Sequence, residues 1–144
     1  MAHVEVKWLE GMRFWAIPDS GHAVVMDTDV SKGGRDSAAR PMELLLIGLA
    51  GCTGMDVIYI LRKMRVKVDG FELYIDAERA DKHPKVYKKV HVKYVFYGKD
   101  IPENKVKEAI ELSQHKYCGA SATIRAAGEL TYDFEIKESE QVSG

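Results

Sequence analysis

The chain has 144 residues, 46% hydrophobic and 30% charged, with a formal net charge of -1. That length predicts one domain over residues 1–144, able to bury about two thirds of its unfolded surface without staples. The near-neutral balance, with no basic stripe, argues against nucleic acid or an anionic membrane as a partner.

Residues 3–8 alternate, Val4, Val6 and Trp8 against His3, Glu5 and Lys7, which predicts a half-buried strand. No apolar h-region marks a signal peptide there, so a soluble, cytoplasmic protein is expected. Residues 13–17 and 22–26 read as two further strands, giving an opening three-stranded meander. Residues 27–40 are polar and aperiodic, a long loop. Asp27, Asp29 and Ser31 have calcium-loop spacing, but Lys32 replaces the required glycine and Ala38 the terminal glutamate, so that site is rejected. Gly33-Gly34-Arg35 lacks the strand-to-helix setting that would make it an anion cradle.

Residues 41–65 organise the rest. Pro41 suits the first turn of a helix, and Arg62, Lys63 and Arg65 suit its C-terminus. Gly48, Gly51 and Gly54 recur at intervals of three, each costing roughly 1 kcal/mol of helix stability against Ala, and close approach of another backbone is the expected compensation. The expectation is a long, mostly buried central helix with Cys52 at its middle. Glu43, Asp56 and the terminal cations make it a poor membrane span.

Residues 71–78 and 90–97 alternate as paired strands. Asp100 is positioned to cap a helix whose inner face is Val106, Ala109, Ile110 and Ser113, and residues 114–117 interrupt it. Residues 118–127 read as a short helix, residues 130–136 as a last strand, and the polar tail from Lys137 as a frayed end. The order βββ-α-ββ-αα-β implies an α+β fold on mainly antiparallel sheet. One central helix is thin cover for so much apolar sequence, so a second copy is expected to bury it.

Two cysteines, without a CxxC or zinc spacing, form neither a disulfide framework nor a recognisable metal site. In a reducing compartment such a pair is catalytic, redox-active or simply buried. Alone, Cys52 reads as a small core hydrophobe, and Asp56, one turn on, as a structural carboxylate wanting a hydrogen-bond or ion-pair partner.

Pro41-Met42-Glu43-Leu44-Leu45, Ala50-Gly51-Cys52, Asp56-Val57 and Lys116-Tyr117-Cys118, in this order and separation, resemble the OsmC/Ohr family of hydroperoxide reductases, in its OsmC-like branch. The resemblance runs from the Val6-Lys7-Trp8 strand to the Phe134 strand. It implies an intertwined homodimer, antiparallel sheets wrapped around two long central helices, with active sites at the subunit interface. It implies Cys52 as peroxidatic and Cys118 as resolving cysteine, an organic hydroperoxide as substrate and an external dithiol as reductant, with no bound cofactor or metal. It also implies an arginine that activates the thiol and a glutamate that holds it. The family glutamate directly follows the helix-opening proline; Met42 stands there and Glu43 comes one residue, about 100°, later. Arg13 lies nearest the family's arginine, with Arg35 and Arg40 as alternatives.

The chemistry is coherent: a thiolate attacks the peroxide to give a sulfenic acid, a second thiol condenses with it, and a dithiol resets the pair. The rivals are a non-catalytic dimeric binding protein, which Met42 favours, and a thiol redox sensor acting through a partner. His115 reads as an exposed helix-end residue, and Trp8, Phe14 and Trp15 as core, interface or pocket aromatics.

Overall fold

A computed structural model of the chain describes residues 1–139. The expected fraying beyond Lys137 falls largely on residues 140–144, which lie outside the described residues. Two compact units are present, Met1–Ile47 and the residues from Gly48 onward.

In the first unit, β1 (Val4–Glu10), β2 (Arg13–Pro18) and β3 (Val24–Met26) form the expected antiparallel meander. The expected half-burial of β1 is not found: all seven residues are exposed, Trp8 at 66%. Alternation shows that one face of a strand is apolar; it does not show that the same chain covers that face.

The loop after β3 is folded around Asp27. This carboxylate is buried and accepts from the backbone N–H groups of Thr28, Arg35 and Ser37 and from the Ser37 hydroxyl at 2.6 Å. The Ser37 hydroxyl is the main reason that its pKa is lowered to about 2, against an opposing push from burial. Val30–Lys32 forms one 3-10 turn, capped by Asp29 and closed by Gly33 at φ 88°. A Cβ on Gly34 would run into the Thr28 carbonyl. The N–H groups of Gly33, Gly34 and Arg35 are turned inward onto Val30, Asp29 and Asp27, which explains why this glycine-containing run is turn chemistry.

Helix α1 (Pro41–Lys63) begins in the first unit and continues in the second. Glu43 accepts the Arg40 backbone N–H at 2.8 Å, half of a capping box. The helix stops short of Arg65, which takes a left-handed φ of 59°. By length and composition it is the one helix among the described residues able to cross a membrane. It is not mostly buried, contrary to expectation. Leu49, Thr53, Val57 and Leu61, four residues apart, make a narrow buried stripe with Gly54, while Leu45, Ile47, Met55 and Tyr59 are exposed. Nor do the three glycines share a face. A step of three falls about 60° short of a turn, so Gly48 and Gly54 diverge by about 120°. Only Gly54 lies against a neighbour, the Leu73 and Phe71 side chains; a Cβ at Gly48 or Gly51 would meet nothing within 4 Å.

The second unit holds β4 (Gly70–Arg79), β5 (Tyr87–Tyr97), α2 (Glu103–Leu112), α3 (Gly119–Ala127) and β6 (Glu129–Lys137). The sheet order is β4-β5-β6, so β5 is central, and Val90, Val92, Tyr94 and Phe96 along it are buried. Each such aliphatic side chain contributes about 1.5–3 kcal/mol on leaving water. β4 and β5 pair antiparallel and β5 and β6 parallel, one parallel pair in the mainly antiparallel arrangement expected. The reason is the connection: α2 and α3 carry the chain across, as a parallel pair requires. Asp100 does not cap α2. It sits at φ 52°, and the extended backbone of Pro102 starts the helix, with no side-chain cap bond.

Candidate active site

The site lies in the second unit, where α1 meets the junction of α2 and α3. After Leu112 the backbone widens into a π-helical segment, Ser113–Tyr117, the interruption expected at residues 114–117. It closes with the Cys118 N–H donating to the Ser113 carbonyl at 2.7 Å. Such π-bulges often mark functional positions. This one sets Cys118 as the N-cap of α3, its Sγ accepting the Ser121 N–H at 3.3 Å.

Cys52 reaches the same place from the middle of α1, and Asp56 follows one turn later on the same face. The sulfurs of Cys52 and Cys118 and a carboxylate oxygen of Asp56 all lie within 4.8 Å of one another. Both thiols are free; Cys118 is buried and Cys52 half-buried. Burial pushes the Cys118 thiol up, and Cys52 adds to that rise, while the hydrogen bonds of Ser121 oppose it.

Behind this trio runs a buried hydrogen-bond chain. Arg125 on α3 donates to the Gln114 carbonyl at 2.6 Å and to Gln114 Oε1 at 2.8 Å. Gln114 Nε2 meets the Tyr94 hydroxyl at 2.6 Å, Tyr94 meets Thr53 Oγ1 at 2.6 Å, and Thr53 meets Ser113 Oγ at 2.7 Å. Ser113 donates to Asp56 Oδ2 at 3.0 Å. A hydroxyl has one proton to give. Ser113 spends its proton on Asp56, so Thr53 donates to Ser113 and Tyr94 to Thr53. The chain thus has one direction, from guanidinium to carboxylate. Burial raises the Tyr94 pKa, which keeps its phenol a donor at neutral pH. Of the two partners expected for Asp56, a hydrogen-bond network or a cation, the network is the one observed.

A cavity of about 620 Å³ opens beside Asp56, lined also by Tyr59, Ile60, Lys63, Met64, Leu112 and Tyr117. Its walls are mostly apolar.

The remaining residues singled out from the sequence lie in the first unit. Arg13 donates Nη1 to Glu10 at 3.4 Å and leaves a buried Nε without a partner. Arg35 donates to the same Glu10 at 3.0 Å. Arg40 is held by Asp36 and by the Ala38 carbonyl, and Glu43 caps α1. Sequence reasoning missed Tyr94, Gln114 and Arg125 as parts of one network. The legible signal was weaker: Thr53 in an apolar helix and Ser113 on the predicted inner face of α2, two hydroxyls in need of partners. His115 is exposed, as expected, and lies 3.1 Å from the Tyr132 hydroxyl.

Two thiols brought together between a long helix and the cap of a later one, on an α+β scaffold of two sheets, define a class of small dithiol proteins. Residues 34–133 match the family described as OsmC-like protein, and the chain belongs to that family. It is 32% identical to Protein YhfA of Escherichia coli K12 over 131 residues, covering 91% of this chain and 95% of that one. A protein of Aquifex aeolicus VF5 has a crystal structure that superposes with a TM-score of 0.84 at 30% identity, covering 96% of this chain and 97% of that one. The fold also matches an organic hydroperoxide resistance protein OsmC of Legionella pneumophila, with a TM-score of 0.65 at 14% identity and 96% coverage of both chains.

Proposed function

We propose that the protein is a thiol-dependent peroxidase that reduces organic hydroperoxides, with Cys52 attacking and Cys118 resolving. The observation that carries this reading is the pair itself: two free thiols, one half-buried and one buried, within 4.8 Å. The resolving step requires that separation to close to a disulfide bond of about 2 Å. Cys52 is the sulfur a substrate can reach. Cys118, buried and with its thiol pushed up, suits the second step.

Cys52–SH and ROOH give Cys52–SOH and ROH. Cys118–SH then condenses with the sulfenic acid, releasing water and forming the Cys52–Cys118 disulfide. An external dithiol returns both thiols and leaves oxidised. The apolar cavity beside Asp56 favours an organic group on the peroxide, at about 0.8 kcal/mol per buried methylene.

For thiol activation we favour Arg13, because its guanidinium is the least engaged of the three candidate arginines. Glu43 is the proposed supporting carboxylate, a role in competition with its cap of α1. On this reading Arg13→Ala is expected to slow Cys52 oxidation by roughly tenfold, read as the rate of sulfenic acid formation. Arg35→Ala and Arg40→Ala are expected to leave that rate within about twofold.

The deciding experiment is consumption of cumene hydroperoxide by the reduced protein with a dithiol, together with mass-spectrometric mapping after one equivalent of oxidant. Turnover that is lost in Cys52→Ser, and a mapped Cys52–Cys118 bond, are expected. Turnover unchanged in Cys52→Ser would end the assignment. Oxidation of the pair without turnover under several dithiols would support a redox sensor instead.

A further inference from the structure

We propose that Cys52, Cys118 and Asp56 form a binding site for a thiophilic divalent cation of the Zn²⁺ type, with a fourth coordination position open. No sequence motif announces such a site, because its ligands come from α1 and from the N-cap of α3, sixty-six positions apart in the chain.

The donor set is chemically selective. Two thiolates and one carboxylate match the borderline-soft ions and fit poorly to Mg²⁺ or Ca²⁺, which take oxygen alone. The geometry is close to what is needed. Zn–S bonds of about 2.3 Å in a tetrahedron place two sulfurs about 3.8 Å apart. The three donor atoms already lie within 4.8 Å of one another. Cys52 and Asp56 share a helix face at i and i+4, and the π-helical segment presents Cys118 opposite them.

The supporting shell is also that of a ligand site. Ligating carboxylates are held by hydrogen bonds that orient them. Ser113 donates to Asp56 Oδ2, and Ser113 is itself fixed by Thr53, Tyr94, Gln114 and Arg125. That chain gives the carboxylate a set orientation while leaving it further acceptor capacity. It also gives Asp56, a poor neighbour for a catalytic thiolate, a positive role.

This site uses the sulfurs of the proposed peroxidase, so the two activities exclude each other in any one molecule. A hydroperoxide that reaches the metal-loaded pair takes the two thiolates to the disulfide, and with two protons yields ROH and water as the cation leaves. That release rests on the peroxidase reading; cation binding does not.

The test is anaerobic titration of the reduced full chain with Co²⁺, a spectroscopic stand-in for Zn²⁺. Expected is a thiolate-to-metal charge-transfer band that saturates at one equivalent per chain and disappears on adding Zn²⁺. Cys52→Ser is expected to remove most of that band, and Asp56→Asn to weaken affinity by about tenfold or more. Wild-type protein alkylated at both thiols avoids any folding defect of a variant and is expected to show no band. Co²⁺ bound without a thiolate band, a band unchanged in Cys52→Ser, or no binding at all overturns the site; unchanged affinity in Asp56→Asn overturns the three-ligand assignment. Peroxide turnover without Co²⁺ binding refutes this inference alone, and Co²⁺ binding without turnover refutes only the peroxidase.

Discussion

The Tyr94 hydroxyl joins the Gln114 side chain to Thr53. It accepts from Gln114 and donates to Thr53, in a setting with no exposed surface. Tyr94→Phe removes both bonds at once, leaving a buried Gln114 amide proton unpaired and Thr53 with only its bond to Ser113, at a cost of about 1–3 kcal/mol. Urea unfolding followed by circular dichroism, with unchanged slope, checks this. Asp27 makes a second prediction at this scale. Its pKa in the folded chain is lowered to about 2. A group held down in this way contributes stability above its unfolded pKa of about 4 and loses it as pH falls toward about 2. The Tm of Asp27→Asn is therefore expected to lie below wild type at pH 6, with the gap narrowing between about pH 4 and 2. A gap independent of pH would show that the carboxylate charge is not what holds the loop. Single residues were legible where local chemistry decides, as at Pro41 or in the rejected calcium loop. Tyr94, Gln114 and Arg125 were not, because their partners are distant in sequence and no local pattern pairs them.

At the scale of elements, the glycines of α1 separate two kinds of packing. Gly48 and Gly51 have open space where a Cβ would go, so Gly48→Ala and Gly51→Ala are each expected to stabilise the isolated chain by up to about 1 kcal/mol. Gly54→Ala places a Cβ 3.2 Å from Leu73 Cδ1, and the strain of moving Leu73 offsets the helical gain. Thermal melts of the three variants decide this; an equal gain at all three would mean that Gly54 is not packed. The strands and helices themselves were readable in order, because alternation and 3.6-residue spacing are local signals. Pairing direction was not. Whether β6 runs with or against β5 depends on how α2 and α3 return the chain, and strand composition carries no mark of that. The Asp100 cap failed for a related reason: a good capping residue was present, but the backbone at Pro102 chose the start.

At the scale of the whole molecule, exposure matters most. Val4, Val6 and Trp8 on β1, and Met55 and Tyr59 on α1, are large apolar side chains more than half exposed. We propose that a second copy of the chain covers them. Sedimentation velocity is expected to give twice the chain mass, and Tyr59→Glu to shift the population toward monomer; a wild-type monomer at all concentrations would remove this proposal.

The chain has two tryptophans, Trp8 and Trp15, and both lie on the N-terminal meander, 66% and 36% exposed. The unit that carries the thiols has none. Tryptophan fluorescence is therefore a private signal of the N-terminal unit. An emission band that moves when Cys52 is oxidised would be light from one unit reporting chemistry in the other, without any dye attached.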